Sequence, residues 1–121
     1  MNAIGDTLEE LYKVILSRKA SSEEGSYTGY LFREGLDKIL KKCGEESAEV
    51  IIAAKTLQRA DDGEAGEDRK ALKNEVCDLI YHLMVLLADR DIPLSEIEEI
   101  LGERSGKTGN LKKKHLTDKN S

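Results

Sequence analysis

Hydrophobic residues recur every three or four positions through most of the chain, the spacing that places them on one face of an α-helix. The first such run predicts a helix that begins at Asp6 or Thr7 and ends near Lys19. Each of the two candidate first residues is followed three positions later by a glutamate, Glu9 or Glu10, which is the spacing of a capping box. We therefore expect a side chain to cap the N-terminus of this helix.

The next long apolar run predicts a second helix over 36–59, after a polar loop over 20–25. Gly35 precedes this helix and is expected to separate it from the segment before it. Gly44 lies inside it, where glycine costs about 1 kcal/mol relative to alanine. We expect Gly44 to permit the close approach of a neighbouring helix or of substrate.

A third helix is predicted over 69–90, after an acidic and aperiodic loop over 60–68. Between residues 76 and 88 its only polar side chains are those of Asp78 and His82. A helix that is apolar around most of its circumference is buried on several sides. We expect this helix in the centre of a bundle or at a subunit interface.

Pro93 ends the third helix, and a short last helix is predicted over 95–102. Its first residue again has a glutamate three positions on, Glu98, in the spacing of a capping box. Beyond it, residues 106–121 are basic and polar, which predicts a flexible tail. Residues 1–105 form the one predicted domain.

The composition favours an all-α protein. Of the 121 residues, 36% are charged and only 4% are aromatic, which is unlike a β-sandwich. The net charge of −5 argues against a nucleic-acid partner. No apolar run approaches the roughly 20 residues of a membrane helix, and the N-terminus lacks the pattern of a signal peptide. Cys43 and Cys77 lie in apolar helical runs, so we expect buried thiols in a soluble, cytoplasmic protein with no membrane partner.

Two carboxylate motifs lie within the predicted long helices. Residues 45–49 are Glu-Glu-Ser-Ala-Glu, and residues 75–78 are Glu-Val-Cys-Asp. In each motif, two carboxylates three positions apart lie one turn apart on one helix face. On helical wheels each pair flanks the apolar stripe of its helix, with Lys42 beside the first pair and His82 beside the second. If the two stripes pack together, four carboxylates meet in one cleft.

Four such carboxylates cannot all stay charged in an apolar cleft without a counterion. Oxygen ligands on rigid helices suit Mg²⁺ or Mn²⁺, and Mg²⁺ keeps part of its coordination for water and for substrate phosphates. The motifs therefore predict hydrolysis of a phosphate ester or anhydride by a metal-activated water.

Structural interpretations of the same residues stay open at this point. The acidic residues of 45–49 are also typical of a solvated helix face, and an ion pair with Lys42 or Lys38 is a further explanation of Asp78. His82 is consistent with a hydrogen-bonded core histidine. The hydroxyl-rich segment 26–28 either caps a helix or holds the phosphate or base of a nucleotide.

Residues 26–55 and 74–101 resemble the phosphoribosyl-ATP pyrophosphatase family of histidine biosynthesis. The carboxylate motifs are shared by the wider superfamily of all-α nucleoside triphosphate pyrophosphohydrolases, which includes the MazG proteins and dimeric dUTPases. Three runs resemble the histidine branch in particular: Ser-Tyr-Thr at 26–28, Lys-Lys-Cys-Gly-Glu-Glu at 41–46 and Asp-Leu-Ile-Tyr-His-Leu-Met-Val-Leu-Leu at 78–87.

The resemblance implies hydrolysis of phosphoribosyl-ATP to phosphoribosyl-AMP and pyrophosphate, with Mg²⁺ or alternatively Mn²⁺. It also implies a MazG-like helical bundle that is completed by a homodimer or a larger homo-oligomer. By resemblance, the metal ligands are Glu46, Glu49, Glu75 and Asp78. Glu45 is the candidate to orient or deprotonate the attacking water. The residues expected to bind substrate or support the site are Ser26, Tyr27, Lys42, Lys55, Tyr81 and His82.

Two other functions remain open from the sequence. A house-cleaning pyrophosphatase that removes unwanted nucleoside triphosphates would use the same carboxylates with different substrate contacts. A non-catalytic helical dimerisation module would carry them as structural groups and would not respond to Mg²⁺. The segment 26–28 with its nearby lysines favours the histidine-pathway enzyme. Because the chain is too short to include the phosphoribosyl-AMP cyclohydrolase fused to some family members, we expect that partner enzyme as a separate chain.

Overall fold

A computed structural model describes residues 3–21, 25–61 and 65–106. Over these ranges the chain forms five α-helices and no strand, which confirms the all-α prediction. The helices are α1 (Ile4–Ala20), α2 (Tyr27–Glu34), α3 (Leu36–Gln58), α4 (Ala65–Asp89) and α5 (Leu94–Ser105). The predicted basic tail lies outside the described residues except for Gly106. No helix in the ranges above is long and apolar enough to cross a membrane.

The two long helices follow the prediction with one extension. α3 begins at Leu36, where the sequence predicts it, and ends one residue early at Gln58. α4 begins at Ala65 rather than at residue 69, so that Glu67 and Asp68 lie in its first turn. Acidic side chains in the first turn stabilise a helix through its dipole. The prediction of a loop is therefore wrong for residues 65–68.

The capping boxes predicted for the first and last helices do not form. α1 begins at Ile4 with Ala3 as its N-cap, and no side chain caps it. α5 begins at Leu94 with Pro93 as its N-cap, and it continues to Ser105 instead of ending near residue 102. In both cases the helix starts upstream of the expected residue, so the predicted capping hydroxyl or carboxylate already lies inside the first turn.

α2 is a helix that the hydrophobic pattern does not predict. Ser26 caps its start, because the Ser26 hydroxyl accepts a hydrogen bond from the backbone N–H of Gly29 at 3.1 Å. Gly35 ends it with a φ of 96°, a left-handed value that glycine adopts without strain, and leads directly into α3. Eight residues are too few to show a helical period in the sequence.

α3 and α4 form an antiparallel hairpin that positions the carboxylate motifs. Glu46 lies beside Glu75 and Asp78, and Cys43 donates a hydrogen bond to the carbonyl of His82, so the two chain directions are opposed. α1 packs against α4 and α2, and α2 also packs against α3. The residues of the buried core are Tyr12, Ile15, Leu31, Ile39, Met84, Val85 and Ala88.

Both helices of the hairpin also expose apolar side chains. Leu40 and Ile51 of α3 are 46% and 64% exposed, and Val76 and Leu83 of α4 are 37% and 41% exposed. In the single chain α4 is therefore uncovered on the side of Val76 and Leu83, and its burial at a subunit interface stays a prediction. A Cβ atom at Gly44 would meet nothing within 4 Å, so no neighbouring helix among the described residues approaches it closely.

Both cysteines are free thiols, in agreement with the prediction that they form no disulfide. Cys43 is half-buried, but Cys77 is exposed, so the prediction of a buried thiol is wrong for Cys77.

Candidate active site

Carboxylates from α3 and α4 converge between the two helices of the hairpin. Glu46, Glu75 and Asp78 each offer an oxygen, and these oxygens all lie within 4.8 Å of one another. The spacing of three residues places Glu75 and Asp78 on the same face of α4, and the antiparallel packing places Glu46 opposite them. The helical-wheel prediction that carboxylates of both motifs face one cleft is thus reproduced by the fold.

Glu49, the fourth predicted ligand, lies next to this cluster. Its carboxyl group lies close enough to those of Glu46 and Glu75 to contribute to the raised pKa of each. Glu46 is buried, whereas Glu49 and Asp78 are exposed. The carboxylate cluster therefore has a buried end at Glu46 and an open end through which a ligand can enter.

The carboxylate cluster is short of positive charge. Burial, followed by the hydrogen bond and the repulsion from Glu49, raises the pKa of Glu46. The hydrogen bond from Glu49, followed by burial and repulsion, raises the pKa of Glu75. Among the residues that the structure describes, Oε2 of Glu46 and Oε2 of Glu75 are buried without a hydrogen-bond partner. Buried oxygens normally have a partner, and a hard divalent cation would serve both, so the donor set fits a metal ion.

Glu46, and not Asp78, is the buried carboxylate of the cluster. The apolar neighbours of Asp78 in the sequence suggest a costly buried carboxylate, but its side chain is exposed at the open end of the carboxylate cluster. The lysines of α3 are engaged elsewhere: Lys42 lies 3.3 Å from Glu45 and 3.8 Å from Glu46, and Lys38 lies over an aromatic ring. The structural alternative of a pair between Asp78 and one of these lysines therefore has no support in the fold.

Two residues of the predicted site are not among the converging carboxylates. Glu45 forms its ion pair with Lys42 at 3.3 Å and is not one of the three converging carboxylates. Lys55 lies nine residues beyond Glu46, which is half a turn around the helix at about 100° per residue. Its ammonium group donates to the side chain of Gln58 at 2.5 Å.

α2 brings the hydroxyl-rich segment against α4. The Tyr27 hydroxyl lies 3.0 Å from Nε2 of His82, and the Thr28 hydroxyl bonds to that of Tyr81. The rings of Tyr27 and Tyr81 stack with their centroids 6.4 Å apart. Ser26 is the N-cap of the helix that carries these contacts. Sequence reasoning missed the role of Thr28, because its pairing depends on how α2 packs on α4 and leaves no local signal.

Known proteins resemble this chain over most of its length. The family model of phosphoribosyl-ATP pyrophosphohydrolase matches residues 8–105. A phosphoribosyl-ATP pyrophosphatase of Clostridium novyi is 49% identical over 107 residues, which cover 88% of each chain. Its counterpart in Listeria innocua is 51% identical over 100 residues, 83% of this chain and 86% of the relative. A third, from Limosilactobacillus fermentum, is 49% identical over 105 residues, 87% of this chain and 90% of the relative.

Proposed function

The chain belongs to the phosphoribosyl-ATP pyrophosphohydrolase family, and from that premise we propose that it hydrolyses phosphoribosyl-ATP to phosphoribosyl-AMP and pyrophosphate in histidine biosynthesis. The observation that carries the proposal is the carboxylate cluster, whose three oxygens lie within 4.8 Å of one another. A polyphosphate and such a cluster repel each other, so the substrate can approach only when a cation stands between them.

Mg²⁺ is the proposed metal, with Mn²⁺ as a substitute. The proposed ligands are Glu46, Glu49, Glu75 and Asp78. All of them offer oxygen atoms from rigid helices, which hard cations prefer. When bound, the cation would neutralise phosphate oxygens and lower the pKa of a coordinated water. Because the pKa values of Glu46 and Glu75 are raised in the protein, we expect metal binding to release protons.

Glu45 is the residue that we propose to orient or deprotonate the attacking water. Lys42 lies between Glu45 and Glu46, at 3.3 Å and 3.8 Å, and holds the Glu45 carboxylate at the edge of the carboxylate cluster. An ionised carboxylate in that position can accept a proton from a water that attacks a phosphate. Ser26, Tyr27, Tyr81 and His82 are proposed to form the substrate side of the site.

We also propose that the enzyme works as a homodimer or a larger homo-oligomer. The exposed apolar residues Leu40 and Ile51 lie on one face of α3, and Val76 and Leu83 lie on one face of α4. Exposed apolar faces of this kind mark protein–protein contacts. Lys55 points away from the carboxylate cluster of its own chain, so its predicted contact with substrate requires a second subunit.

The proposed pathway implies two further features. The enzyme would act in the cytoplasm, and its product would pass to a phosphoribosyl-AMP cyclohydrolase on a separate chain. The catalytic domain is proposed to comprise residues 1–105, with 106–121 as a basic tail.

One assay tests the reaction against its alternatives. Pyrophosphate release is measured from phosphoribosyl-ATP, dCTP and dUTP, each with and without Mg²⁺. We expect release from phosphoribosyl-ATP alone and only with the metal. Turnover of dCTP or dUTP in place of phosphoribosyl-ATP would instead support a house-cleaning pyrophosphatase. Absence of metal-dependent release from every nucleotide would support a dimerisation module.

The metal ligands are tested by thermal unfolding as well as by activity. Mg²⁺ is expected to raise the melting temperature of the wild type but not of Glu49→Gln or Asp78→Asn, because a ligand stabilises only a protein that binds it. Both variants should lose activity and keep a helical circular dichroism spectrum. Glu96→Gln, an exposed glutamate of α5, is the matched control and should respond like the wild type. Wild-type turnover in either ligand variant would show that the ligand assignment is wrong.

A further inference from the structure

His82 contacts two different groups through its two ring nitrogens. Nδ1 lies 2.8 Å from the backbone oxygen of Asp78, and Nε2 lies 3.0 Å from the hydroxyl of Tyr27. A carbonyl oxygen only accepts hydrogen bonds, so Nδ1 carries a hydrogen and donates it. In the neutral ring Nε2 then has a lone pair and no hydrogen. In that neutral form, with the hydrogen on Nδ1, the O–H of Tyr27 donates to Nε2.

This direction of the hydrogen bond determines what the Tyr27 oxygen offers to a ligand. Its one hydrogen is engaged with His82, so the oxygen presents lone pairs only. Burial of the phenol raises the pKa of Tyr27 above its ordinary value, which keeps the hydrogen on the oxygen. The phenol can thus accept a hydrogen bond from a ligand, but it has no hydrogen left for a phosphate oxygen.

Tyr27 is also held in place beside the carboxylate cluster. Its side chain is 47% exposed, while its hydroxyl rests on His82, which is 5% exposed. His82 also contacts the backbone oxygen of Asp78 at 2.8 Å, so one side chain separates the phenol from a residue of the carboxylate cluster. The Tyr27 ring stacks on Tyr81 at 6.4 Å and meets the His82 ring edge-on at 5.9 Å. The acceptor is therefore both accessible and fixed in direction.

We propose that Tyr27, oriented by His82, recognises a hydrogen-bond donor on the nucleoside part of the substrate, and not a phosphate. The donor is a sugar hydroxyl or an amino group of the base. His82 is a positioning residue, because it acts through the direction it imposes on the Tyr27 hydroxyl. The identity of the substrate rests on the proposed function, whereas the direction of the hydrogen bond does not. A site built to accept a donor discriminates against ligands that lack it, since the acceptor is then left unpaired.

Two probe ligands distinguish recognition of a hydrogen-bond donor by Tyr27 from recognition of a phosphate. AMP carries hydroxyl and amino donors, whereas pyrophosphate presents acceptor oxygens, and the binding of each with Mg²⁺ is measured by calorimetry. Tyr27→Phe should weaken AMP binding about fivefold to tenfold, the loss of one hydrogen bond, and change pyrophosphate binding less than twofold. Tyr30→Phe, one turn further along α2, is the matched control and should change neither. Because no turnover is needed, failure of this test is distinct from failure to hydrolyse phosphoribosyl-ATP.

Three analogues, each of which lacks one donor of AMP, distinguish the two sources of the donor. They are 2′-deoxy-AMP, 3′-deoxy-AMP and purine riboside 5′-monophosphate. The analogue that lacks the donor recognised by Tyr27 should bind the wild type about fivefold to tenfold more weakly than AMP. The same analogue should bind Tyr27→Phe and the wild type equally, because the interaction is absent in both.

The positioning role of His82 is tested with two substitutions. The amide in His82→Gln can donate to the Asp78 carbonyl and accept from Tyr27, whereas the side chain in His82→Leu can do neither. We expect the glutamine variant to retain the difference between AMP and pyrophosphate, and the leucine variant to lose it. Circular dichroism shows whether each variant folds. If His82→Leu does not fold, Tyr27→Phe still tests whether Tyr27 recognises a hydrogen-bond donor of the ligand.

The proposal would be overturned if Tyr27→Phe left AMP binding unchanged, if it weakened pyrophosphate equally, or if the wild type did not bind AMP. It would also be overturned if all three analogues bound like AMP. If both His82 variants lost the difference between AMP and pyrophosphate binding equally, His82 would not be a positioning residue.

Discussion

The ammonium group of Lys19 at the end of α1 lies 2.7 Å from Oδ1 of Asp91 and 2.7 Å from the carbonyl oxygen of Ala88. Asp91 follows α4 and has a φ of 57°, in the left-handed region that costs non-glycine residues energy. The N–H groups of Asp91 and Ile92 donate back to the carbonyls of Ala88 and Leu87, which is the pattern of a Schellman cap. A lysine of one helix thus stabilises the strained end of another.

Lys19→Met should lower the melting temperature at neutral pH by a few degrees. Hydrogen bonding to Lys19 and its positive charge lower the pKa of Asp91, so this pair stabilises the fold above the unfolded-state pKa of Asp91. That contribution is lost as the pH falls through the lowered folded-state pKa. The difference between variant and wild type should therefore shrink below about pH 4 in calorimetric scans. Lys13→Met on the same helix is the control, and a pH-independent difference would contradict the ionic contribution.

Tyr12→Phe should destabilise the protein by about 1–2 kcal/mol. The buried Tyr12 hydroxyl donates to the carbonyl of Ile92 at 2.5 Å, which joins α1 to the loop after α4. Phenylalanine retains the packing and leaves that carbonyl without this donor. Urea denaturation measures the change, with Tyr30→Phe on the exposed side of α2 as the control. Equal stability of Tyr12→Phe and the wild type would show that water replaces the hydroxyl.

Glu46→Gln should raise the melting temperature of the metal-free protein and reduce activity about a hundredfold or more. Burial and the neighbouring Glu49 raise the pKa of Glu46, so its charged form is unfavourable without a cation. The neutral amide removes that repulsion but also removes a ligand, and the stabilisation by Mg²⁺ should disappear. A lower melting temperature without metal would instead mean that Glu46 supports the fold through Lys42.

Leu83→Glu should convert the proposed oligomer to a monomer. Leu83 is 41% exposed on the face of α4 that the chain does not cover, and a charge there opposes burial against a second subunit. Sedimentation equilibrium measures the mass of each protein. Val14→Glu, at a residue of α1 that is 50% exposed, is the matched control and should leave the assembly intact. A monomeric wild type at micromolar concentration would contradict the proposal of an oligomer.

Local patterns predict the long helices well and the short features poorly. The bounds of α3 follow from apolar periodicity, because in a long helix many apolar residues recur on the same face. The predictions of capping boxes are wrong for α1 and α5. Each helix begins upstream of the expected residue, so the side chain predicted to cap it lies inside the helix. α2 is missed because its eight residues make little more than two turns, which is too short a window for the helical period to be recognised.

The sequence by itself determined that each motif places two carboxylates on one helix face, and that the two motifs would meet if the apolar stripes of their helices packed together. A spacing of three residues puts Glu75 and Asp78 on one helix face whatever surrounds them. Only the tertiary structure decided that Glu46 is the buried member and Asp78 the open one, and that the Tyr27 hydroxyl meets His82. Burial and hydrogen-bond direction depend on how α2, α3 and α4 are rotated against one another, and that rotation is set by packing across the whole core.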